Sequence, residues 1–376
     1  MKSHNSSLIT PVLIAGSIII IITFGIRGSF GVFQIPIEQE FQWLRVEFSL
    51  AIAIQNLGWG IGAPIFGALG EKFGDRKMIV VGAFCYVIGL LLSTIAQNPI
   101  THQFLELIIG FGIAGTGMGM ILAVVGRASS EKNRSMALGV VTAAGSVGQM
   151  IGAPIAQALL NLYSWQQVFI IFSMSIIFIV FVVPFLKSPP LSSKKEIEIS
   201  LKKVLGDAFK DPNFSMIFFG FFACGYQLAF LTAHFPAMVT EMCSSINPSS
   251  LLHNFGVSTT STLGAFAIAL IAFSNIFGTI YAGWLGQRYP KKILVSYCLC
   301  FKSVYWFNFY YISNNTNISN FIFFVNGFFM VSYSTFNQGI DSSYLWITLY
   351  GYFIWNCFFI TSIRKFSWCL DGRKVI

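Results

Sequence analysis

The sequence predicts an all-α polytopic membrane protein assembled from two similar halves. Three observations carry that prediction. Of 376 residues, 55% are hydrophobic and only 10% charged, where an average soluble domain carries about 25% charge, so a water-exposed surface is hard to build. Apolar runs recur along the chain, among them Val12–Gly25, Ile79–Ala96 and Phe104–Val125, and each belongs to a segment able to cross a hydrocarbon core of about 30 Å. A polar stretch from Lys187 to Asn213, Ser-Pro-Pro followed by mixed Lys and Glu, then divides six spans from those that follow.

The first span, 11–37, follows Lys2 and His4, and no small-residue cleavage site closes its apolar stretch. It reads as a retained helix rather than a signal peptide. Spans follow at 48–69, 78–97, 103–125, 136–160 and 166–187, then at 214–238, 261–286 and 292–313. With the N-terminus in the cytoplasm, 16 Lys and Arg fall on the cytoplasmic side: one before the first span, three in 72–77, three in 127–134, six in 187–210 and three in 288–292. The opposite loops hold Arg45 alone. This asymmetry fixes the orientation, and the net charge of +9 reports topology rather than a nucleic-acid partner. The seven Cys are scattered without metal-ligand spacing, which argues against a disulfide framework or a metal site.

The two halves repeat. At an offset of 200, Gly25, Phe30 and Pro36 match Gly225, Phe230 and Pro236. At an offset of 216, Gly67-Ala-Leu-Gly-Glu-Lys-Phe matches Gly283-Trp-Leu-Gly-Gln-Arg-Tyr. Order and membrane direction are kept, as in a parallel repeat. The expected organisation is an N-terminal six-helix half (1–187), a cytoplasmic linker (188–213), the start of a C-terminal half with spans seven to nine (214–303), and an aberrant tail (304–376).

The stretch Gly67 to Lys77 resembles the loop signature of the major facilitator superfamily, roughly Gly-x-Leu-x-Asp-Arg-x-Gly-Arg-Lys. It departs from that signature with Glu71 for Asp, Lys72 for the first Arg and Asp75 for the second. Arg27-Gly-Ser-Phe-Gly-Val-Phe and Trp43-x-x-x-Glu-Phe-Ser-Leu are similar to bacterial monocarboxylate-transporter relatives. The likeness to the superfamily covers roughly residues 10–303. It implies a major facilitator fold of 6+6 parallel-repeat helices in a bacterial inner (plasma) membrane. It also implies secondary active transport of a small, monocarboxylate-like organic anion by alternating access, with protons as the candidate coupling ion. No enzyme activity and no cofactor are implied. In the family, the 67–77 loop latches the two halves, so Gly67, Glu71, Lys72, Gly74 and Arg76 become gating candidates; the plainer reading is a solvated basic turn that fixes topology.

Arg27 carries the chemistry most directly. A cation near mid-helix costs about 2.5–3.5 kcal/mol on insertion scales, so it should face the bundle interior or a wet cavity. Thr23, Arg27 and Gln34 share one helical face, and a guanidinium grips a carboxylate bidentately. The alternative is a structural Arg paired with a buried acid or a helix C-terminus. Gln227 and His234 stand at the repeat positions of Arg27 and Gln34; His234 either exchanges a proton or bonds backbone at the outer end. Glu106, placed near the outer surface, is a second proton candidate. Gly58/Gly62, Gly115/Gly119 and Gly148/Gly152 have helix-packing spacing, and Gly148, Gly152 and Pro154 resemble a family bend motif. No phosphate loop, nucleophile elbow or metal motif occurs.

From Val304 the composition breaks: residues 304–376 hold no Ala, Pro or Glu and only four Gly. Shifting the frame by one base lets 360–376 read S-H-Q-L-G-S-F-L-G-V-W-M-G-G-K-L, which is similar to a late span of the same relatives. Trp346-Ile347, Trp355-Asn356 and Trp368-Cys369 each give Gly, and Met330-Val331 gives Trp, whatever codons are used. A frame slip between Lys302 and Tyr305 explains the tail; a diverged, AT-rich third is the other explanation. Two further functional readings stay open: a facilitator or efflux carrier for a neutral or drug-like solute, and a non-transporting remnant. Sequencing the DNA across codons 295–380 and beyond the stop is expected to reveal one inserted or deleted base near codon 303 that restores spans nine to twelve. An intact frame removes the slip.

Overall fold

Helix starts that the sequence marks with a small polar residue are capped in the computed structural model, which describes residues 9–130, 133–187, 206, 209, 210, 233, 234, 236, 237, 240 and 257–285. Thr10 accepts the Leu13 N–H at 3.2 Å and Pro11 takes the first turn of α1 (Pro11–Ser29), where a missing N–H costs nothing. A 3₁₀ turn, Phe30–Val32, leads to α2 (Gln34–Phe41). In α3 (Arg45–Phe73) the Glu47 carboxylate accepts the Leu44 N–H at 2.8 Å. Next come α4 (Asp75–Ser93), α5 (Pro99–Thr116), capped by Asn98, and α6 (Met118–Ala128). The next pair is α7 (Arg134–Leu160) and α8 (Trp165–Val182), the latter opened by a Ser164/Gln167 capping box and prolonged by a 3₁₀ turn, Val183–Phe185. The last described helix is α9 (Thr260–Leu285).

Among the described residues, seven segments are long and apolar enough to cross a membrane: Pro11–Val32, Arg45–Phe73, Asp75–Ser93, Pro99–Ala128, Met136–Leu160, Trp165–Phe185 and Thr260–Gly278. They correspond to seven of the nine expected spans. The span at 214–238 lies largely, and that at 292–313 wholly, outside the described residues, as do the linker and the 304–376 tail.

Three boundaries differ from expectation, each for a local reason. The first span stops at the 3₁₀ turn instead of running to 37, so Gln34 opens a separate helix and the face shared with Thr23 and Arg27 is interrupted. The expected 67–77 loop is mostly helix: α3 runs through Phe73, α4 starts at Asp75, and Gly74 alone makes the turn at φ 97°. Only glycine adopts that backbone without a Cβ penalty. The fourth span is broken at Gly117, whose extended backbone separates α5 from α6. A Cβ there would collide with the Ile113 carbonyl, and Thr116 closes the turn by donating to the Gly112 carbonyl at 2.9 Å. Gly115 and Gly119 therefore sit on different helices; Gly115 packs on Gly82, while Gly119 meets nothing within 4 Å.

Small residues set how the helices stack. α1 lies on α7, α5 between α3 and α4, α8 on α4, and α9 on α7. At the α1–α7 crossing, a Cβ on Gly25 would stand 3.1 Å from the Gly148 carbonyl oxygen, and one on Gly148 or Gly152 would strike the backbone of Ile21 or Gly25. Backbones this close gain dispersion contacts that lipid cannot supply. Of the α1 span, 72% is buried, against 33% for α3, so α1 is interior and α3 turns Leu57, Ile61 and Ile65 outward. Exposed apolar stripes of this kind suit lipid. Pro154 inside α7 removes one backbone hydrogen bond and clashes with the preceding turn, the usual origin of a bend.

Gly148→Leu is expected to destabilise the folded chain by at least about 1–3 kcal/mol through overpacking, measured as a lower melting temperature in detergent. Gly119→Leu is expected to leave that temperature unchanged.

Candidate functional site

The interior position of α1 carries Arg27 with it, at 4% exposure. Its Nη2 donates to Asn56 Oδ1 of α3 at 3.1 Å. Asn56 is held for this by its own Nδ2, which donates to the Ile52 carbonyl at 2.8 Å and leaves the oxygen toward α1. The guanidinium lies over Trp59 at 4.5 Å and near Phe24 at 5.8 Å, and the two rings meet edge to face at 5.9 Å. Such stacking stabilises a cation by about 0.5–2 kcal/mol but supplies no acceptor. Arg27 Nε and Nη1 are buried without hydrogen-bond partners, as are the Thr23 and Tyr86 hydroxyls.

The ion pairs among the described residues are Arg45–Glu38 at 4.0 Å and Arg127–Asp75 at 2.6 Å, and the His102 ring lies 3.5 Å from Glu106. Arg27 belongs to none of them, which leaves the buried-acid reading without a partner in this part of the chain. A buried cation facing aromatic rings and one amide has donors to spare, and an anion is the species that satisfies them.

The other sequence candidates are spread more widely. Gln34 is buried, but its Nε2 donates to Glu38 at 2.8 Å, within α2. His234 is half-buried, with Arg45 as its charged neighbour, which sets it near the α2–α3 end. Gln227 lies outside the described residues. Glu106, toward the outer end of its span, is fully buried, because α5 is wedged between α3 and α4 and position along the helix says nothing of enclosure. Gln55 Nε2 donates to Glu106 Oε2 at 2.7 Å, and Trp43 covers His102 at 5.4 Å.

Around Gly74 the geometry is that of a brace. Asp75 pairs with Arg127 of α6, and Arg76 Nε donates to the Leu186 carbonyl, beyond α8, at 2.8 Å. Glu71 and Lys72 are exposed on the last turn of α3, Lys72 over the Phe73 ring at 5.3 Å, and Gly67 is half-buried on the same helix. At the other end, Trp165 Nε1 and Gln166 Nε2 both donate to Glu40, tying α8 to α2. A cavity of about 350 Å³ opens beside them, lined by Gly31, Pro36, Glu40, Trp165, Pro236 and Ser261 among others. No group of three His, Cys, Asp or Glu is placed for a metal among the described residues.

Sequence reasoning missed Gln55, Asn56, Trp59, Tyr86 and His102. The adjacent amides Gln55-Asn56 inside an apolar span, and His102 one turn before Glu106, were the available signals.

Comparison with known proteins bears on all of this. The family described as Major Facilitator Superfamily matches residues 16–359. Monocarboxylate transporter 13 of Bos taurus is 26% identical over 291 residues, covering 72% of this chain and 60% of that protein. The sialic acid transporter NanX of Escherichia coli (strain K12) is 28% identical over 235 residues, covering 62% of this chain and 54% of the relative. The chain thus spans about 60% of the length of the first of these curated relatives. Among solved structures, a D-xylose–proton symporter is similar with a TM-score of 0.60 at 12% identity, over 91% of this chain and 88% of that one, a likeness of fold.

The brace at Gly74 is open to a direct check. Asp75→Asn and Arg127→Gln are each expected to destabilise the chain slightly, and a double-mutant cycle is expected to return a coupling of about 0.2–1 kcal/mol for this half-exposed pair.

Proposed function

We propose that this chain, which belongs to the major facilitator superfamily, moves a small organic anion across the membrane by alternating access, with Arg27 holding the carboxylate. The observation that carries the proposal is the buried guanidinium that spends one nitrogen on Asn56 and has no acid paired with it among the described residues. A neutral solute would leave that charge uncompensated in a low-dielectric interior, at a cost of several kcal/mol. The similarity to a monocarboxylate and a sialic acid transporter, both named for anionic cargo, supports the same class.

The remaining assignments follow from this reading. Thr23 and Tyr86 offer free hydroxyls in the same interior; Gln34, Gln227 and His234 would line the path farther along. The segment Gly67–Arg76 would act as the gate by holding the ends of α3, α4, α6 and α8 as one unit, so that the N-terminal half moves whole. The basic asymmetry supports a cytoplasmic N-terminus and a plasma-membrane location. The division into 1–187, 188–213, 214–303 and 304–376 belongs to the same proposal. The family match runs on to residue 359, which favours a tail with family character as written; its composition supports the slipped frame.

Arg27→Gln in the full chain is expected to weaken binding of pyruvate or another small carboxylate at least 10-fold, about 1.4 kcal/mol. Arg27→Lys should be intermediate, since it keeps the charge and loses the fork. Binding to purified protein in detergent is the measurement, and unchanged affinity in Arg27→Gln would favour the neutral-solute reading.

A further inference from the structure

We propose that the cavity at the end of the bundle opposite Gly74 is a binding site for a small organic ammonium, held on Glu40 and lined by both sequence repeats. It is separate from the Arg27 site and stands whatever Arg27 binds.

The cavity, of about 350 Å³, falls in the range of about 300–1,000 Å³ usual for small-molecule sites. Pro36 and Glu40 of α2 line it from the first repeat, and Pro236 and Thr240 from the second, at the offset of 200 that already relates the two copies. The second copy thus brings a hydroxyl where the first brings a carboxylate. Among the described residues the cavity therefore receives one negative charge instead of two. Glu40 is exposed, yet its carboxylate is oriented in advance: Trp165 Nε1 donates to Oε2 and Gln166 Nε2 to Oε1. Trp165 is in turn held edge to face by Phe41 at 6.0 Å and Phe169 at 5.4 Å. Both donors are neutral, so they fix the carboxylate without cancelling its charge, and each oxygen keeps a lone pair for a further partner.

The surrounding chain supplies no countercharge for Glu40. Lys and Arg are absent from residues 135–186 and 211–287, and residues 34–71 hold Arg45 alone, which pairs with Glu38 at 4.0 Å. A carboxylate in a concave, low-dielectric wall draws cations toward it. An alkali ion would use only that charge. Trp165, Tyr163 and Leu160 also line the cavity, and their rings and aliphatic surface suit the methyl or methylene groups of an organic ammonium. Ser261 and Thr240 add hydroxyls for a polar tail. Glu40 stands 13 residues beyond Arg27, about 20 Å at 1.5 Å per residue, so one small molecule does not reach both. A ligand that touches α2, α8 and residues 236–240 together binds while these elements are close, and its binding favours that arrangement.

The test is equilibrium binding of radiolabelled choline to the full chain in a detergent without choline head groups. The competitor is 3,3-dimethyl-1-butanol, which has the same shape and no charge. Choline should bind saturably, one per chain, and the alcohol should compete at least 10-fold more weakly. Gln157, another lining residue, donates to Asn161 on the exposed α7 end at 3.1 Å, so changing it leaves the bonds of Glu40 in place. Gln157→Lys should weaken choline at least 10-fold, and Gln157→Glu should tighten it a few-fold. Thr240→Lys should weaken it as Gln157→Lys does, from the other repeat. Choline should raise the melting temperature of the unmodified chain and not that of the two Lys variants. Absence of saturable binding overturns the site. Equal competition by the alcohol, or equal weakening by Gln157→Lys and Gln157→Glu, overturns the ammonium reading. Binding untouched by Gln157→Lys places choline elsewhere and overturns the location. Binding lost in Gln157→Lys but kept in Thr240→Lys overturns the part given to the second repeat.

Discussion

The contact on which the rest depends is the backbone crossing of α1 and α7. Lipid tails are as apolar as the helices they surround, so burial alone gives two spans little reason to associate. Gly25, Gly148 and Gly152 supply the reason by removing the side chains that would hold the backbones apart. This crossing buries α1 and aims its following turn at α3. Arg27, two residues beyond Gly25, thereby reaches Asn56 and Trp59 instead of snorkelling to an interface. A larger residue at the crossing would do more than cost packing energy; it would move the buried Arg27 guanidinium off its partners.

The same device recurs at α5. A Cβ on Gly110 would strike the backbone of Gln55 and Trp59, and one on Gly112 the backbone of Tyr86. Gln55 thus receives α5 against its main chain while its side chain holds Glu106. Packing and polar chemistry are coupled in a single residue: the closeness that excludes lipid also shortens the reach from amide to carboxylate.

What the sequence made legible follows from which signals are local. Span positions come from hydropathy, so seven of them were found where expected. Arg27 was conspicuous as a charge in an apolar run. The breaks were not: Gly117 sits inside the continuous run Phe104–Val125, and nothing in composition distinguishes a glycine that packs from one that ends a helix. The 3₁₀ turn at Phe30–Val32 is likewise silent in sequence, and it undid the helical arithmetic that put Gln34 beside Arg27. The enclosure of Glu106 was not legible because residue number along a span measures depth, while burial is decided by neighbouring helices. Asn56 and Tyr86 have no periodic signature; only tertiary packing selects them.

The Gly74 turn shows how a departure from a family signature becomes structural. Where the signature has a second Arg, this chain has Asp75, and its partner Arg127 lies on a helix that begins beyond the Gly117 break. Arg76, the next residue, turns instead to a main-chain carbonyl beyond α8. Because Gly74 is a one-residue hinge, both side chains leave from the first turn of α4 and reach different elements. Among the described residues, the turn therefore ties α3, α4, α6 and α8 together. Any gating force applied there acts on these helices as a body, and α1 follows through its seam with α7 only if α7 moves too. Under the proposed alternating access the α1–α7 crossing would have to transmit that movement, and Gly25, Gly148 and Gly152 set the close backbone approach through which it would do so.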